Sequence, residues 1–363
     1  MRILVRGAYG TRNFGDDMLM LCIQKMLDDE NISVDFCCPD FKYIKKISDN
    51  ITVNSSNENR NYNLCIYGGG TQFFSFDAKA EKRKHIIIDK IKGNFLSPKR
   101  LLSSIKRRIR RNLDIKNDIY IGIGLGPFKS KEDEEKALKN VVLSDFVAIR
   151  DRKSLEYMNR YGGTAILGSD LCFIKEFEEL LPKNEIPKDY DVSIILRDWD
   201  KSVEGIVPFD EIQLLSERLR SENKKFRFIF FSEVHDGLWI NYCRVNKLEH
   251  FVWNPDKDSY TLFINEIAKS KHIISSRFHG LVFSALLNIP FTGLEIEPKI
   301  KLYMEKFENY RCIRYPFSCN ELYESIEDKY WGEEELRVVE QEKQRSNEMV
   351  LELRKYLSNY KEG

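Results

Sequence analysis

One turn in the sequence brings an arginine and a histidine to the start of a predicted helix. The stretch "SSRFHGLVFSALLNIP", residues 275–290, ends a strand and begins a helix, which puts Arg277, His279 and Gly280 at the helix N-terminus. Free backbone N–H groups and the helix dipole favour an anion there. Arg277 adds a guanidinium that matches a carboxylate or phosphate, and His279 can give or take a proton near neutral pH. The turn predicts anion binding coupled to acid–base chemistry.

Two further cations follow other predicted strands. Arg150 ends the strand "FVAI", and Lys299 comes just after "FTGLEI". A salt bridge to a neighbour is the structural alternative for an arginine at a helix start, and Asp151 is a plausible N-cap of the helix that follows Arg150. The other histidines are interpreted as structural: His85, His235, His250 and His272.

An acidic, glycine-rich turn follows the first predicted strand. In "GAYGTRNFGDDMLM", residues 7–20, Gly10 and Gly15 have the spacing of a phosphate-binding loop, but Asp16 and Asp17 replace its Lys and Ser or Thr. Two carboxylates would repel a phosphate. We expect Asp16 or Asp17 to accept hydrogen bonds from substrate hydroxyls, one of them as a base, although Asp16 could instead cap the helix.

Three more residues are expected to bind substrate through the shape of the backbone. Asn13 shapes the acidic turn, and Gly69 and Gly70 in "GGGTQFF" follow another strand. Glycine lets the backbone approach a ligand closely. These turns all follow strands, so the elements before them must bring the strand ends together.

The elements that position these turns alternate between short β-branched strands and amphipathic helices. This alternation predicts α/β structure with two doubly wound, Rossmann-like domains, at residues 1–175 and 188–330, and a C-terminal helix at residues 331–363. A proline-bearing segment, residues 176–190, reads as the linker. Ligands of such folds bind beyond the carboxyl ends of the strands, so the cleft between the domains is the expected active site.

Composition excludes several classes of protein. The formal net charge of +1 gives no overall attraction to nucleic acid, and no apolar run reaches the ~18 residues that span a bilayer. The N-terminus lacks the pattern of a signal peptide, so we expect a cytoplasmic protein. The cysteines include no C-x-x-C pair, and no ligand cluster predicts a metal site.

The ordered set of turns resembles the polysaccharide pyruvyl transferase family. "GTRNFGDD" is similar to the Asn-x-Gly-Asp-Asp/Glu turn that opens that family. The later blocks look like the family's in the same order: "YGGGTQFF", "GIGLGPF", "IRDRKS", "LGSDL" and "SSRFHGLVFSALLNIPF" followed by "EPK". The resemblance covers about residues 1–310, apart from an insertion at about residues 77–118.

This resemblance implies a fold like that of the B-type glycosyltransferases and a reaction without a cofactor. Phosphoenolpyruvate would donate its enolpyruvyl unit to a saccharide acceptor as a ketal. Arg150, Arg277 and Lys299 would bind its carboxylate and phosphate, and His279 would protonate the methylene carbon or the leaving phosphate. Asp16 or Asp17 would act near the sugar hydroxyls.

The insertion contains a basic amphipathic pattern. In "LLSSIKRRIRRNL", residues 101–113, apolar residues recur at helical spacing and the rest of the surface is basic. Such a helix can lie on an anionic membrane face, which would suit a lipid-linked acceptor, but a solvated surface helix fits equally well. Nucleic-acid binding is disfavoured because no aromatic residues are interleaved with the charges.

Two other functions remain open. A glycosyltransferase of the same architecture could hold the diphosphate of a nucleotide sugar at "SSRFHG", although no second motif for the base or ribose is present. A catalytically silent member could bind an anionic saccharide or act as a scaffold. A dehydrogenase is disfavoured because "GIGLGPF" lacks the G-x-G-x-x-G spacing.

Overall fold

The computed structural model describes residues 1–38, 41–48, 51–54, 61–75, 115–199, 205–327 and 331–362. The basic stretch 101–113 and most of the predicted insertion lie outside the described residues.

The first sheet is parallel throughout and contains eight strands in the described part of the chain. They are β1 (Arg2–Arg6), β2 (Ser33–Cys37), β3 (Thr52–Asn54), β4 (Tyr62–Gly68), β5 (Thr71–Phe73), β6 (Ile115–Leu125), β7 (Val147–Ile149) and β8 (Ile166–Leu167). Their order is β3-β2-β1-β4-β6-β7-β8, and β5 pairs with β6. The middle of β1 is fully buried because helices cover both faces of a parallel sheet.

The described helices of this domain connect successive strands. They are α1 (Phe14–Met26), α2 (Phe41–Ile47), α3 (Lys131–Val142), α4 (Arg152–Arg160), a 3₁₀ turn (Leu171–Phe173) and α5 (Lys175–Glu178). Asp151 caps α4 by accepting a hydrogen bond from Ser154 N at 2.8 Å, as the sequence predicts. The alternative prediction that Asp16 caps the helix is wrong. Helix α1 begins at Phe14, so Asp16 lies inside its first turn and Asn13 takes the N-cap position.

The second sheet repeats the same order in six described strands. They are β9 (Tyr190–Ile195), β10 (Phe226–Phe230), β11 (His250–Val252), β12 (Ser270–Ser275), β13 (Phe291–Glu295) and β14 (Cys312–Arg314). The order is β11-β10-β9-β12-β13-β14, again all parallel. The described helices are α6 (Phe209–Ser221), α7 (Gly237–Val245), α8 (Tyr260–Ala268), α9 (Phe278–Leu286), α10 (Pro298–Met304) and α11 (Cys319–Glu324).

The two sheets confirm the predicted fold class of two doubly wound domains facing a cleft. In each sheet the strand order reverses between two neighbouring strands. These are β1 and β4 in the first sheet and β9 and β12 in the second. Ligands of doubly wound folds bind beyond the carboxyl ends of strands at such switch points. The acidic turn follows β1, the glycine turn follows β4, and the Arg277–His279 turn follows β12.

Phe14 joins the two domains. Its backbone N–H donates to Phe231 O at 2.9 Å, although the two residues belong to different sheets. Its ring inserts into an aromatic cluster of the second domain, with centroid distances of 4.3 to 5.3 Å to Phe231, Trp253, Phe263 and Phe283. The buried apolar core therefore runs continuously from one domain into the other.

The charged tail forms one helix, α12 (Glu333–Glu362), which crosses from the second domain to the first. Near its start, Glu335 accepts a hydrogen bond from Asn309 Nδ2 at 2.9 Å. Farther along, the Ser346 hydroxyl donates to Asp170 O at 3.2 Å. Near its end, the Tyr360 hydroxyl bonds Asn63 O at 3.2 Å. The helix thus braces the loop that contains Asp170.

Some elements differ from the sequence expectation. The strands β3, β5 and β14 are three residues long, too short to show a periodic pattern. The segment predicted as a linker contains the short helix α5, whose Phe177 is fully buried.

Candidate active site

Arg277 is held rigidly between the two domains. It is 4% exposed and takes the N-cap position of α9. Its Nη2 donates to Asp236 Oδ1 in the second domain, and its Nη1 donates to Asn13 Oδ1 in the first at 3.3 Å. Burial lowers the pKa of Arg277, although Asp236 partly offsets this effect. Its Nε is buried without a hydrogen-bond partner among the described residues, so one N–H remains for a ligand.

Asn13, which accepts this bond from Arg277, also contacts Asp16. Its Nδ2 donates to Asp16 Oδ2 at 2.5 Å. Asp16 is half-buried, and its charge acts on His279 and His235, whose pKa values it raises. Asp16 therefore lies at the cleft, close to groups of the opposite domain.

Asp17 points away from the cleft into the joint between the domains. It is 0% exposed, and its two oxygens accept hydrogen bonds from Tyr43 Oη at 2.8 Å and Trp253 Nε1 at 2.9 Å. Burial raises its pKa to about 7, although these two hydrogen bonds lower it. This placement differs from the prediction that either aspartate could meet a sugar hydroxyl, since adjacent residues of a helix face different directions.

His279 packs against the acidic turn of the other domain. A Cβ on Gly15 would lie 2.2 Å from His279 Nδ1, so a glycine is required for this contact. Within the described part of the chain, the Nε2 atom is buried without a hydrogen-bond partner, and it lies 3.7 Å from Asp170 Oδ2. Burial lowers the pKa of His279, while Asp170 and Asp16 act in the opposite direction. The lowered pKa favours a neutral imidazole, whose Nε2 can meet a ligand.

Arg150 lies across the carboxyl ends of the first sheet. It is 4% exposed, and its Nη2 donates to Thr71 Oγ1 at 2.8 Å. Its Nη1 lies 3.4 Å from Asp170 Oδ2. The guanidinium also packs on the Phe278 ring of the second domain, 4.4 Å from its centroid. These contacts on three sides hold the guanidinium plane in place.

Lys299 approaches the same phenylalanine from the next strand end. Its Nζ lies 3.0 Å from Glu297 Oε1 and 5.8 Å from the Phe278 ring centroid. Burial lowers the pKa of the ammonium, and Glu297 partly offsets this effect. Lys299 is thus a second cation beside the ring on which Arg150 packs.

A small cavity lies between these groups. Its lining includes Arg150, Asp151, Asp170, Phe278, Lys299, Leu302, Tyr303, Lys306 and Glu342. The Tyr303 hydroxyl is buried and has no hydrogen-bond partner among the described residues. Burial raises its pKa, so it remains protonated and can donate to a ligand. Buried polar atoms without partners are rare, and here they mark where a polar ligand would bind.

Comparison with known protein families identifies the family of this chain. The polysaccharide pyruvyl transferase family matches residues 13–298, from Asn13 to the residue before Lys299. The chain belongs to the polysaccharide pyruvyl transferase family. No curated protein matches the sequence.

Solved structures show the fold that this pyruvyl transferase family member shares. It is similar to UDP-N-acetylglucosamine 2-epimerase from Rickettsia bellii, with a TM-score of 0.57, 10% identity, and 99% of this chain and 96% of that chain covered. It is also similar to UDP-GlcNAc 2-epimerase from Neisseria meningitidis, with a TM-score of 0.51 and 9% identity. That match covers 99% of this chain and 100% of the epimerase chain. At this identity the likeness shows the fold alone, a two-domain Rossmann-like arrangement of the glycosyltransferase B type.

The pyruvyl transferase cleft contains residues that the sequence prediction missed. Asp170 lies beside both Arg150 and His279, and Asp236 orients Arg277. Tyr303 lines the cavity from α10. Asp170 and Asp236 also follow strands, β8 and β10, so their position at strand ends was a signal that could have found them. Tyr303 lies inside an ordinary amphipathic helix and gave no such signal.

The predicted ligand-facing glycines have structural contacts instead. A Cβ on Gly280 would lie 2.2 Å from Ser275 Oγ, and one on Gly69 would lie 3.0 Å from the Leu19 side chain. Gly69 and Gly70 have φ angles of +62° and +71°, which favour glycine. Gly70 lies next to Asp16, because its Cβ would be 4.0 Å from Asp16 Oδ1. These close contacts explain why glycine is needed at positions 280 and 69, and no ligand is required to explain it.

Three potential metal ligands lie together among the described residues, although the sequence predicts no metal site. Atoms of Asp170, Cys172 and His279 lie within 4.8 Å of one another. The Arg150 guanidinium lies against the same Asp170 oxygen, and burial raises the pKa of the Cys172 thiol well above its usual value. A nearby cation and a protonated thiol both disfavour a metal ion.

Within the described ranges, we find no helix whose length and apolar content would let it cross a membrane. The predicted contact of residues 101–113 with a membrane lies outside the described residues.

Proposed function

We propose that this protein transfers the pyruvyl group of phosphoenolpyruvate to two hydroxyls of a saccharide in a polysaccharide precursor, forming a cyclic ketal. One observation carries the proposal. Two cations, Arg150 and Lys299, line a cavity that also contains the free Tyr303 hydroxyl and borders the unpartnered Nε2 of His279. This set of groups matches a small trianion that must be protonated on carbon.

The cations bind the donor. Phosphoenolpyruvate carries a carboxylate and a phosphate on one short carbon frame, and Arg150 and Lys299 both lie beside the Phe278 ring. The buried Nε of Arg277 and the Tyr303 hydroxyl donate further hydrogen bonds. Because burial makes each charge–charge interaction stronger, few groups suffice to bind this small anion.

His279 supplies the proton that starts the reaction. Binding of the trianion raises the pKa of His279, so the imidazole takes up a proton. It then protonates the methylene carbon, which becomes a methyl group, and the adjacent carbon acquires oxocarbenium character. Asp170, near His279 Nε2 and Arg150, stabilises the imidazolium before transfer.

Asp16 acts on the acceptor side. It takes the proton from the first sugar hydroxyl as that oxygen attacks the oxocarbenium carbon. The second hydroxyl then attacks the same carbon, phosphate leaves, and the second hydroxyl proton departs with it through His279. The products are the ketal and inorganic phosphate, and the reaction uses no cofactor. We place it in the cytoplasm, where phosphoenolpyruvate is formed.

Calorimetric titration with phosphoenolpyruvate tests the donor. We expect wild-type protein to bind phosphoenolpyruvate and Lys299→Met to weaken binding by about tenfold or more, since one charge-assisted contact is lost. Lys301→Met is the matched control, because Lys301 is exposed on the same helix and pairs with Glu305 at 3.8 Å. It should bind like the wild type.

The same titration with UDP-sugars and GDP-sugars tests the alternative. Binding of a nucleotide sugar without binding of phosphoenolpyruvate would make the protein a glycosyltransferase. Binding of neither would favour a catalytically silent member of the family.

A further inference from the structure

Cations and aromatic rings alternate along the cleft and continue beyond the cavity. Arg150 and Lys299 both contact the Phe278 ring. Lys299 also lies 5.9 Å from the Trp199 ring centroid, and the Arg197 guanidinium lies 5.0 Å from the same centroid. Arg197 and Trp199 do not line the cavity that contains Arg150 and Lys299. The series of contacts therefore leads from the donor cavity to a neighbouring part of the cleft.

Arg197 differs from the other three cations in its partners. Arg150, Arg277 and Lys299 each have a carboxylate within ion-pair distance. Among the residues that the structure describes, Arg197 has none. Its charge nevertheless acts on the cleft, since it lowers the pKa values of Arg277, Lys299 and His235. A cation without a neutralising partner in a half-buried cleft is available for an anionic ligand.

The backbone holds Arg197 in place while its side chain has no acidic partner. Arg197 N donates to Ser276 Oγ at 2.7 Å, and the same hydroxyl donates back to Arg197 O at 2.9 Å. These bonds tie the end of β9 to the end of β12, the switch point of the second sheet. Arg197 therefore projects from a rigid position at the place where doubly wound folds bind ligands.

Trp199 and Phe74 supply an apolar surface beside this cation. They come from different domains, are both half-buried, and have ring centroids 6.4 Å apart. The C–H face of a pyranose ring is apolar and packs on an aromatic ring, while its hydroxyls remain free for polar contacts. A sugar placed here would lie between the domains and next to the donor cavity.

We propose that Arg197, Trp199 and Phe74 form the acceptor subsite, and that the acceptor is a sugar with a phosphate on its anomeric oxygen. Trp199 and Phe74 contact the sugar ring, and Arg197 binds the phosphate. The statement that this ligand is the acceptor rests on the proposed function. The binding of a sugar phosphate at these three residues does not depend on it. The phosphate could belong to a prenyl-linked or a nucleotide-linked sugar, and both present the same group to Arg197.

Calorimetric titration tests the subsite with defined probes. The probes are the 1-phosphates of glucose, galactose, mannose and their N-acetylated forms, each beside its methyl glycoside. We expect at least one 1-phosphate to bind about tenfold or more tightly than its glycoside. Arg197→Gln should remove this preference and leave glycoside binding unchanged. Trp199→Leu should weaken both ligands, and Trp199→Phe should restore part of the binding.

Arg244→Gln is the control for surface charge, because Arg244 is exposed on α7. It should keep the preference for phosphate. Comparing the same sugar on a short prenyl diphosphate with the UDP-sugar identifies the source of the phosphate. No binding of any 1-phosphate, or a preference that survives Arg197→Gln, would overturn the subsite.

Titrations of phosphoenolpyruvate on the same variants separate this proposal from the proposed function. If Arg197→Gln weakens phosphoenolpyruvate binding and keeps the preference for sugar phosphates, Arg197 belongs to the donor site and the subsite is wrong. If wild-type protein binds sugar phosphates through Arg197 but no phosphoenolpyruvate, the donor assignment fails and the subsite stands.

Discussion

The two ends of the cleft use positive charge in different ways. At the inner end, defined by Arg150, Asp170, Phe278, His279 and Lys299, Arg150 is buried, Lys299 is partly buried, and each of these two cations has a carboxylate partner. At the outer end, defined by Phe74, Arg197 and Trp199, the cation has no acidic partner among the described residues and the rings are half-buried.

This difference indicates two kinds of recognition. Paired, buried charges are fixed before a ligand arrives, which suits one small and invariant donor. A partly buried cation without an acidic partner, beside aromatic rings, can bind the anionic group of a larger ligand. The inner end would therefore determine the reaction, and the outer end would determine which saccharide is modified.

Removing the proton donor tests the inner end most strongly. We expect His279→Asn to lower the rate of phosphate release from phosphoenolpyruvate by about 10²–10⁴-fold, the usual contribution of a general acid. Affinity for phosphoenolpyruvate should change much less. His250→Asn is the control, since His250 lies on β11, away from the cleft, and its Nδ1 lies 2.9 Å from Leu248 O. Equal losses in both variants would argue for a structural effect.

Stability measurements compare the charges at the two ends directly. Asp170→Asn removes the nearer carboxylate of the buried Arg150 and leaves only Asp151 at 3.8 Å, so we expect the free energy of unfolding to fall by about 3 kcal/mol. Arg197→Gln removes a cation with no acidic partner, so the change should stay within about 0.5 kcal/mol. Urea denaturation measures both. A loss for Arg197→Gln as large as that for Asp170→Asn would contradict the comparison.

Asp16 tests the side of the cleft that faces the acceptor. We expect Asp16→Asn to lower turnover by about 10²-fold, because the amide cannot accept the hydroxyl proton. The fold should persist, since the amide can still bond Asn13. Steady-state rates measured beside thermal melting separate the two effects; an unchanged rate would exclude Asp16 as the base.

The effect of Asp17 on stability depends on pH. Its pKa of about 7 in the folded state lies above its ordinary value of 3.8, so the folded protein binds the proton more tightly. The contribution of Asp17 to stability is therefore complete below about pH 4 and is lost as the pH rises through 7. Urea denaturation from pH 4.5 to 8 should show a shallower decline for Asp17→Asn than for the wild type. Identical slopes would contradict the assignment.

The sequence predicts the strands and the strand ends well, because buried parallel strands are short continuous apolar runs and the site follows from their order. It therefore places Arg150, His279 and Lys299 in one cleft. It cannot separate Asp16 from Asp17, since the partners of Asp17 are Tyr43 and Trp253, the latter more than 200 positions away.

Other features depend equally on long-range packing. Gly15 matches a glycine of a ligand-binding turn, yet its contact is His279 of the opposite domain. Arg197 follows a strand like several other arginines, and only the positions of the surrounding carboxylates distinguish it. A local sequence pattern does not predict which charged side chains will lack an ion-pair partner in the folded protein.

The insertion of Phe14 into the aromatic cluster of the second domain affects how the molecule comes apart. The ring could not leave that cluster without exposing Phe231, Trp253, Phe263 and Phe283 to water. Neither domain can therefore melt while the other keeps its core intact, so heating should produce one cooperative transition. For the same reason, any opening of the cleft must be a rotation about Phe14, with this ring as the pivot.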